Sequence, residues 1–346
     1  MEKGIKRNLG IDIYRIILTL MVIAIHVCGD EYYRILESGN VHNIYVLTFI
    51  GKSCSIAVPS FVMLSGMLML DNSDNEKISK IIFKSIPKLL GLKVFSNFTL
   101  LVSLYISNVM GYYVSYTYKE ALFLDNAMWF LWMLMGLYII TPILINVIRN
   151  KKNEEYLICI WFIFQYIVPI IQSFEIKVVN DSIFSMYFGV PKYMGYFLLG
   201  HYLAKYKIEI KKKIKVLLFG SCILDVMVLS FLCTISGNLN ILNQWEQLLV
   251  LFNTIIIFYV FNTKVFAIKI KRGYKIIEYL GTNCMYIYAS HFSILQFLNS
   301  RGIRPYCKMG GYMLGSLLEV LAIAAIGIII AILFNGIKKM LYKQCQ

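Results

Sequence analysis

IDIYRIILTLMVIAIHVCGD, residues 11–30, has the length and apolarity of a bilayer-crossing helix, yet it carries Asp12, Arg15 and His26 within it. A membrane helix needs about 20 mostly apolar residues. A charged side chain at its centre costs about 2.5–3.5 kcal/mol on insertion scales, so an ionisable residue kept there marks a functional site by default. Arg15 and His26 are eleven positions apart, which at about 100° per residue leaves them within about 20° of each other after three turns. Along the axis they are about 16 Å apart, and Asp12 falls about 40° from His26 by the same count. Polar groups at two depths on one stripe describe a channel through a helix bundle, with a cation at its mouth and a proton acceptor deeper in. A local alternative has Arg15 snorkelling to the interface and pairing with Asp12, while His26 caps a helix end. The run has no clear small-residue cleavage site and is read as a retained helix, not a signal peptide.

The rest of the chain agrees with a membrane setting. Of 346 residues, 59% are hydrophobic and only 15% charged, with a mean hydropathy of +0.67. Soluble domains run at about 45–50% apolar and about 25% charged, so this surface suits only lipid. Apolar runs recur near 10–28, 45–70, 85–108, 127–148, 156–174, 183–204, 214–235, 245–262, 275–298 and 310–337. They are continuous, which excludes a porin-like barrel of alternating segments. The expected fold is all-α, a polytopic bundle of about ten transmembrane helices. It forms a single membrane domain over 1–346, with no separate soluble domain.

The net charge of +15 follows from topology. With the N-terminus inside, 24 Lys and Arg fall in the inner segments and only six in the outer ones: Arg34, Lys119, Lys177, Arg301, Arg304 and Lys308. That asymmetry obeys the positive-inside rule and puts both termini in the cytoplasm. The cations punctuate apolar spans without forming one patch, so nucleic acid is not an expected partner. The eight cysteines contain no CxxC pair and read as small buried hydrophobes. Neither metal-ligand spacing nor a phosphate-cradling glycine loop occurs, so no metal is expected.

Several stretches taken together carry a family resemblance. Arg15-(x)10-His26 resembles the first helix of the acyltransferase-3 family of integral membrane acyltransferases. VPSFVMLSGMLML (58–70) is similar to the family's Ser-Gly-x-Leu run, here Ser65, Gly66 and Leu68. MWFLWMLMGLYIITPIL (128–144) resembles its Trp-Phe-Leu … Tyr … Pro segment, through Trp129, Tyr138 and Pro142. YMGYFLLGHYL (193–203) and MYIYASHFSIL (285–295), with Tyr288 and His291, follow in the family's order. The chain departs from the pattern at Ala127 and Met128, where a His or another polar residue is usual, and Asp125 and Asn126 are the nearby substitutes. The run at 58–70 is closest to stand-alone members that modify surface polysaccharides.

The resemblance implies O-acylation of an extracytoplasmic carbohydrate, with acetyl-CoA as the donor co-substrate. A base must take the hydroxyl proton, and a His, with an unperturbed pKa of about 6.5, suits neutral pH. His26 is implied in that role, with transfer direct or through an acyl-His intermediate. Arg15, aided by Asp12, would meet the donor's phosphates. Ser65 and Gly66 have a donor-side or a close-packing role. Asp125, Trp129, Tyr138 and His291 are candidates for the acceptor side. Trp129 equally suits an aromatic-belt anchor, and His291 a satisfied structural histidine. His42 reads as solvated, and His201 with Lys205 as a helix end. Expected partners are a surface polysaccharide or lipid-linked glycan, membrane lipids and a further copy of the chain. The competing function is a transporter or flippase for a lipid-linked glycan, which paired half-repeats would favour; no convincing internal repeat is visible.

Overall fold

In the computed structural model, the residues described are 8–36, 40–112, 117–123, 128–173, 191–206, 210–236, 240–262, 274–300 and 311–344. They are helical, with no strand among the described residues. Twelve helices matter here: α1 (Leu9–Ile35), α2 (Val41–Cys54), α3 (Ala57–Leu70), α4 (Ile86–Val109), α5 (Tyr118–Phe123), α6 (Trp129–Val147), α7 (Lys151–Phe162), α8 (Met194–Lys205), α9 (Lys212–Ser236), α10 (Asn240–Val260), α11 (Tyr274–Ser300) and α12 (Gly311–Gln344). Among the described residues, seven helical stretches are long and apolar enough to cross a membrane. The expected count of ten is therefore reached only in part. The run at 245–262 yields a shorter apolar helix, Gln244–Val260. Of the run at 183–204, residues 183–190 lie outside the described set, and α8 begins at Met194. The run at 275–298 forms α11, which has 27 residues but a polar load that includes Glu278, Asn283, Ser290, His291 and Ser293.

The chain forms two compact units. The first comprises Met1–Cys54, Lys88–Leu131 and Thr263–Gln346. Asn8 caps α1 by accepting from the amides of Gly10 (3.0 Å) and Ile11 (3.3 Å), which satisfies donors that a helix start leaves orphaned. Asp12 in the first turn and Arg34 in the last both suit the helix dipole. α1 and α11 run side by side in the same direction. Contacts ascend together along both, from Asp12 against Gly281, through His26 against His291, to Asp30 against Asn299. α12 returns antiparallel along α11: Asn335 bonds Asn283 (2.7 Å), while Gly327, earlier in α12, meets Ile287 and Ser290. Ile23, Val27, Leu47, Ile287, Leu295 and Ile323 form the buried apolar centre of this unit.

The second unit comprises Ser55–Pro87 and Trp132–Asn262. Its tightest feature is the antiparallel crossing of α3 and α8. A Cβ at Gly66 would fall on the Phe197 carbonyl, and one at Gly200 on the Met63 carbonyl. Small residues let membrane helices approach to backbone contact in this way, where lipid supplies no hydrophobic drive between helices. Gly195 admits the indole of Trp161, whose Nε1 donates to the Lys192 carbonyl at 2.8 Å. The Tyr166 and Tyr196 hydroxyls meet at 2.7 Å beside it.

Candidate active site

The seam between α1 and α11 carries two polar centres. At the end nearer the N-terminus, Arg15 pairs with Asp12 at 3.7 Å; Asp12 is fully enclosed and the Arg15 side chain is about a third exposed (32%). Gly281 permits this, because a Cβ there would overlap the Asp12 carboxyl. Thr19 anchors its hydroxyl on the Arg15 carbonyl (2.9 Å), and Cys284 comes from α11 into electrostatic range of both Asp12 and Arg15. The pairing of Arg15 with Asp12 expected from their spacing is thus present, and the guanidinium keeps a solvent-facing edge.

Further along α1, His26 meets His291 with ring centroids 5.0 Å apart and planes tilted by 42°. His26 is half-buried and His291 almost wholly enclosed. The Nδ1 of His291 bonds the Tyr288 carbonyl one turn back. A carbonyl only accepts, so Nδ1 holds the proton and the neutral ring presents Nε2 as an acceptor. That Nε2 is buried and has no hydrogen-bond partner among the described residues. Leaving a buried polar atom unsatisfied costs about 1–3 kcal/mol, so the arrangement suits a donor that arrives from elsewhere. Asp30, one turn beyond His26, exerts its charge on the imidazole while accepting from Asn299 Nδ2 at 2.8 Å.

Aromatic rings wall one side. Tyr288 lies 5.3 Å from His291, and Phe130, at the start of α6, packs edge-on to Tyr288 at 5.7 Å. Trp129 adjoins Phe130 at 6.5 Å and is 40% exposed. On the far side of α11 a hydroxyl ladder joins it to α4. Thr99 bonds the Ser293 hydroxyl (2.9 Å), Ser103 donates to the Ser293 carbonyl (3.0 Å), and Ser107 meets Ser300 (3.2 Å).

The first unit therefore gathers Asp12, Arg15, His26, Trp129 and His291. Ser65, Gly66 and Tyr138 belong to the second unit, where Gly66 takes part in the α3–α8 crossing and Tyr138 is half-buried on α6, four residues before Pro142. Asp125 and Asn126 lie outside the described residues, and His42 is exposed. Three features escaped sequence reasoning. Lys93 on α4 is buried and donates to Asn97 (2.7 Å). Glu154 and His201 form a buried pair at 2.7 Å, whereas the sequence read His201 only as a helix end. Asp225 sits near the middle of the span Lys213–Ile235. Each was visible as an ionisable residue in or beside an apolar run; what it faces depends on helices remote in sequence.

The seam thus joins the partly exposed Arg15 guanidinium to the His26–His291 pair through one helix. No curated protein and no solved structure matches the chain. A family model described as an acyltransferase domain matches residues 8–336, essentially its whole length. By that match the chain belongs to the acyltransferase-3 family, and its long apolar helices suit a membrane acyltransferase.

Proposed function

We propose that the protein moves an acetyl group from cytoplasmic acetyl-CoA to a hydroxyl of an extracytoplasmic cell-surface carbohydrate. The observation that carries this reading is the α1–α11 seam, with Arg15 at one end and His26 beside the open Nε2 of His291 at the other. Arg15 binds donor phosphate, and the thioester reaches along the seam toward His26, about 16 Å away on the same helix face. His26 accepts the proton of the acceptor hydroxyl as its oxygen attacks the thioester carbonyl. The tetrahedral intermediate collapses, the C–S bond breaks, and the thiolate of CoA takes the proton back from His26. His291 Nε2 accepts a hydrogen bond from a neighbouring hydroxyl of the acceptor and so orients the attacking one. The Lys and Arg distribution supports cytoplasmic termini, with the donor side inward.

Acetyl transfer from radiolabelled acetyl-CoA to surface glycan, in membranes holding wild type, Arg15→Ala or His26→Ala protein, tests the proposal. Label reaching glycan with wild type alone supports it. Full transfer by inserted His26→Ala protein overturns the mechanism. Glycan export without labelling in any sample favours a flippase instead.

A further inference from the structure

Helix α9, in the second unit, carries an ionisable residue that the acyl-transfer chemistry does not use. It packs against α10, and its buried residues Cys222, Leu229 and Ser230 lie on one side. Another side is open. Ile214, Leu217, Leu224, Val228 and Phe231 are exposed there, and with half-buried Ser221 they recur at alternating intervals of three and four. That is the spacing of a helix–helix seam, centred about 130° round the helix from Cys222. Its apolar side chains alone would be content with lipid, whose tails are as apolar as leucine.

Lipid does not serve Asp225, which flanks the seam near the middle of the span Lys213–Ile235 and is half-buried. Among the described residues no hydrogen bond or ion pair reaches its carboxyl; Cys222, on the same helix, lies within its electrostatic range. The nearby hydroxyls of Ser221 and Ser230 donate to the carbonyls of Leu218 (2.7 Å) and Val226 (2.6 Å). No lysine or arginine occurs between Lys215 and Lys264. An intramembrane carboxyl almost always faces a partner or a cavity. In a parallel helix pair, a residue flanking the seam meets the opposite flank of the other helix five positions earlier. For Asp225 that position is Gly220, where a Cβ would have nothing within 4 Å in the chain. Ser221 adjoins it on the seam, and a hydroxyl rotates, so its donor can turn from Leu218 to an incoming carboxyl.

We propose that α9 joins two copies of this chain about a two-fold axis along the membrane normal, with Asp225 of each seated over Gly220 and Ser221 of the other. A second copy fits because two-fold pairing presents the same patch from both sides. It brings apolar seam, glycine notch and hydroxyl to the depth of the carboxyl without requiring a cation. The pairing does not depend on the acyl-transfer chemistry.

Cross-linking in membranes tests it. Single cysteines replace Leu217, Leu224 or Val228 on the seam, and Phe219 or Ile223, which are exposed off it. Full-length protein in its native membrane is treated with a mild oxidant, and disulfide-linked dimer is read as the gain over the chain's own cysteines. The three seam positions cross-link, because there equivalent residues of two copies come within disulfide reach; Phe219→Cys and Ile223→Cys do not. Asp225→Leu lowers co-capture of two differently tagged copies by about tenfold, the scale of interhelical hydrogen bonds in a membrane, whereas Asp225→Asn keeps most of it. Gly220→Leu, which has open space within one copy, weakens co-capture likewise while the protein inserts at wild-type level. Cross-linking at all five positions, at none, or to a different membrane protein overturns the pairing. So does co-capture that both Asp225→Leu and Gly220→Leu leave unchanged.

Discussion

His26 and His291 bring their rings to 5.0 Å from helices more than 250 residues apart, and only His291 has its tautomer determined by the backbone. With Nδ1 committed to the Tyr288 carbonyl, a neutral His291 presents Nε2 as an acceptor toward the His26 side of the seam.

Replacing His291 separates orientation from proton transfer. His291→Phe keeps the ring against Tyr288 and removes only the acceptor, so acyl transfer falls by about ten- to a hundredfold, the scale of one buried hydrogen bond. His26→Ala loses about 10²–10⁴-fold, the usual contribution of a general base. Donor KM stays near wild type in both. Equal losses in the two variants would mean that the pair acts as one unit.

Gly281→Ala puts a methyl into the Asp12 carboxyl and swings Arg15 from its place. Donor KM rises while kcat, governed by the His26–His291 pair, changes little. Steady-state kinetics against acetyl-CoA check this; a kcat loss at constant KM would assign Arg15 to the chemical step.

Glu154 and His201 test the second unit. Removing one partner of a buried pair costs about 3–5 kcal/mol, whereas apolar replacement of both is near neutral. Glu154→Ala should therefore lower the unfolding midpoint in detergent sharply, and Glu154→Leu with His201→Leu should restore most of it. A double variant as unstable as the single one would show that the pair is not the source.

Glu120 carries a pH-dependent link at the start of α5. Its carboxylate accepts from the Thr117 amide (2.7 Å) and hydroxyl (2.9 Å), and the Thr117 hydroxyl in turn accepts from the Glu120 amide (3.2 Å). This reciprocal cap holds the carboxyl below its ordinary range, chiefly through the Thr117 amide bond. A depressed folded pKa stabilises above the ordinary carboxylate range and loses that stabilisation as pH falls through the lowered value. At neutral pH, Glu120→Gln should speed amide exchange over 117–123, and in mild acid wild type should approach the variant. Identical exchange at neutral pH would dismiss the cap.

How much could be read in advance differs from helix to helix. The face shared by Asp12, Arg15 and His26 was legible because eleven residues make three turns of any α-helix, whatever surrounds it. His291 was legible by resemblance, but its partner was not, since nothing local says that α11 lies against α1. The apolar run 45–70 proves to be two helices, α2 and α3, with a break at residues 55–56 that its hydropathy does not announce. Gly66 and Gly200 look alike on paper to Gly136 and Gly220, which have open space at their Cβ positions; only a crossing helix tells them apart. Lys93 lies in the apolar run 85–108, and its burial and its bond to Asn97 depend on how α4 packs, which the run itself does not state.

The side-by-side course of α1 and α11 also has a consequence for how the protein is made. Chains emerge N-terminus first, so α1 enters the bilayer with Asp12, Arg15 and His26 long before α11 is translated. Until then its polar stripe has no Gly281 notch to seat the carboxylate and no His291 to face the imidazole. The young chain must shelter that stripe with water, lipid headgroups or the insertion machinery for most of its synthesis. Any product cut short before residue 291 would carry that stripe and yet lack its partner imidazole. The centre is completed late, from the first helix that was made.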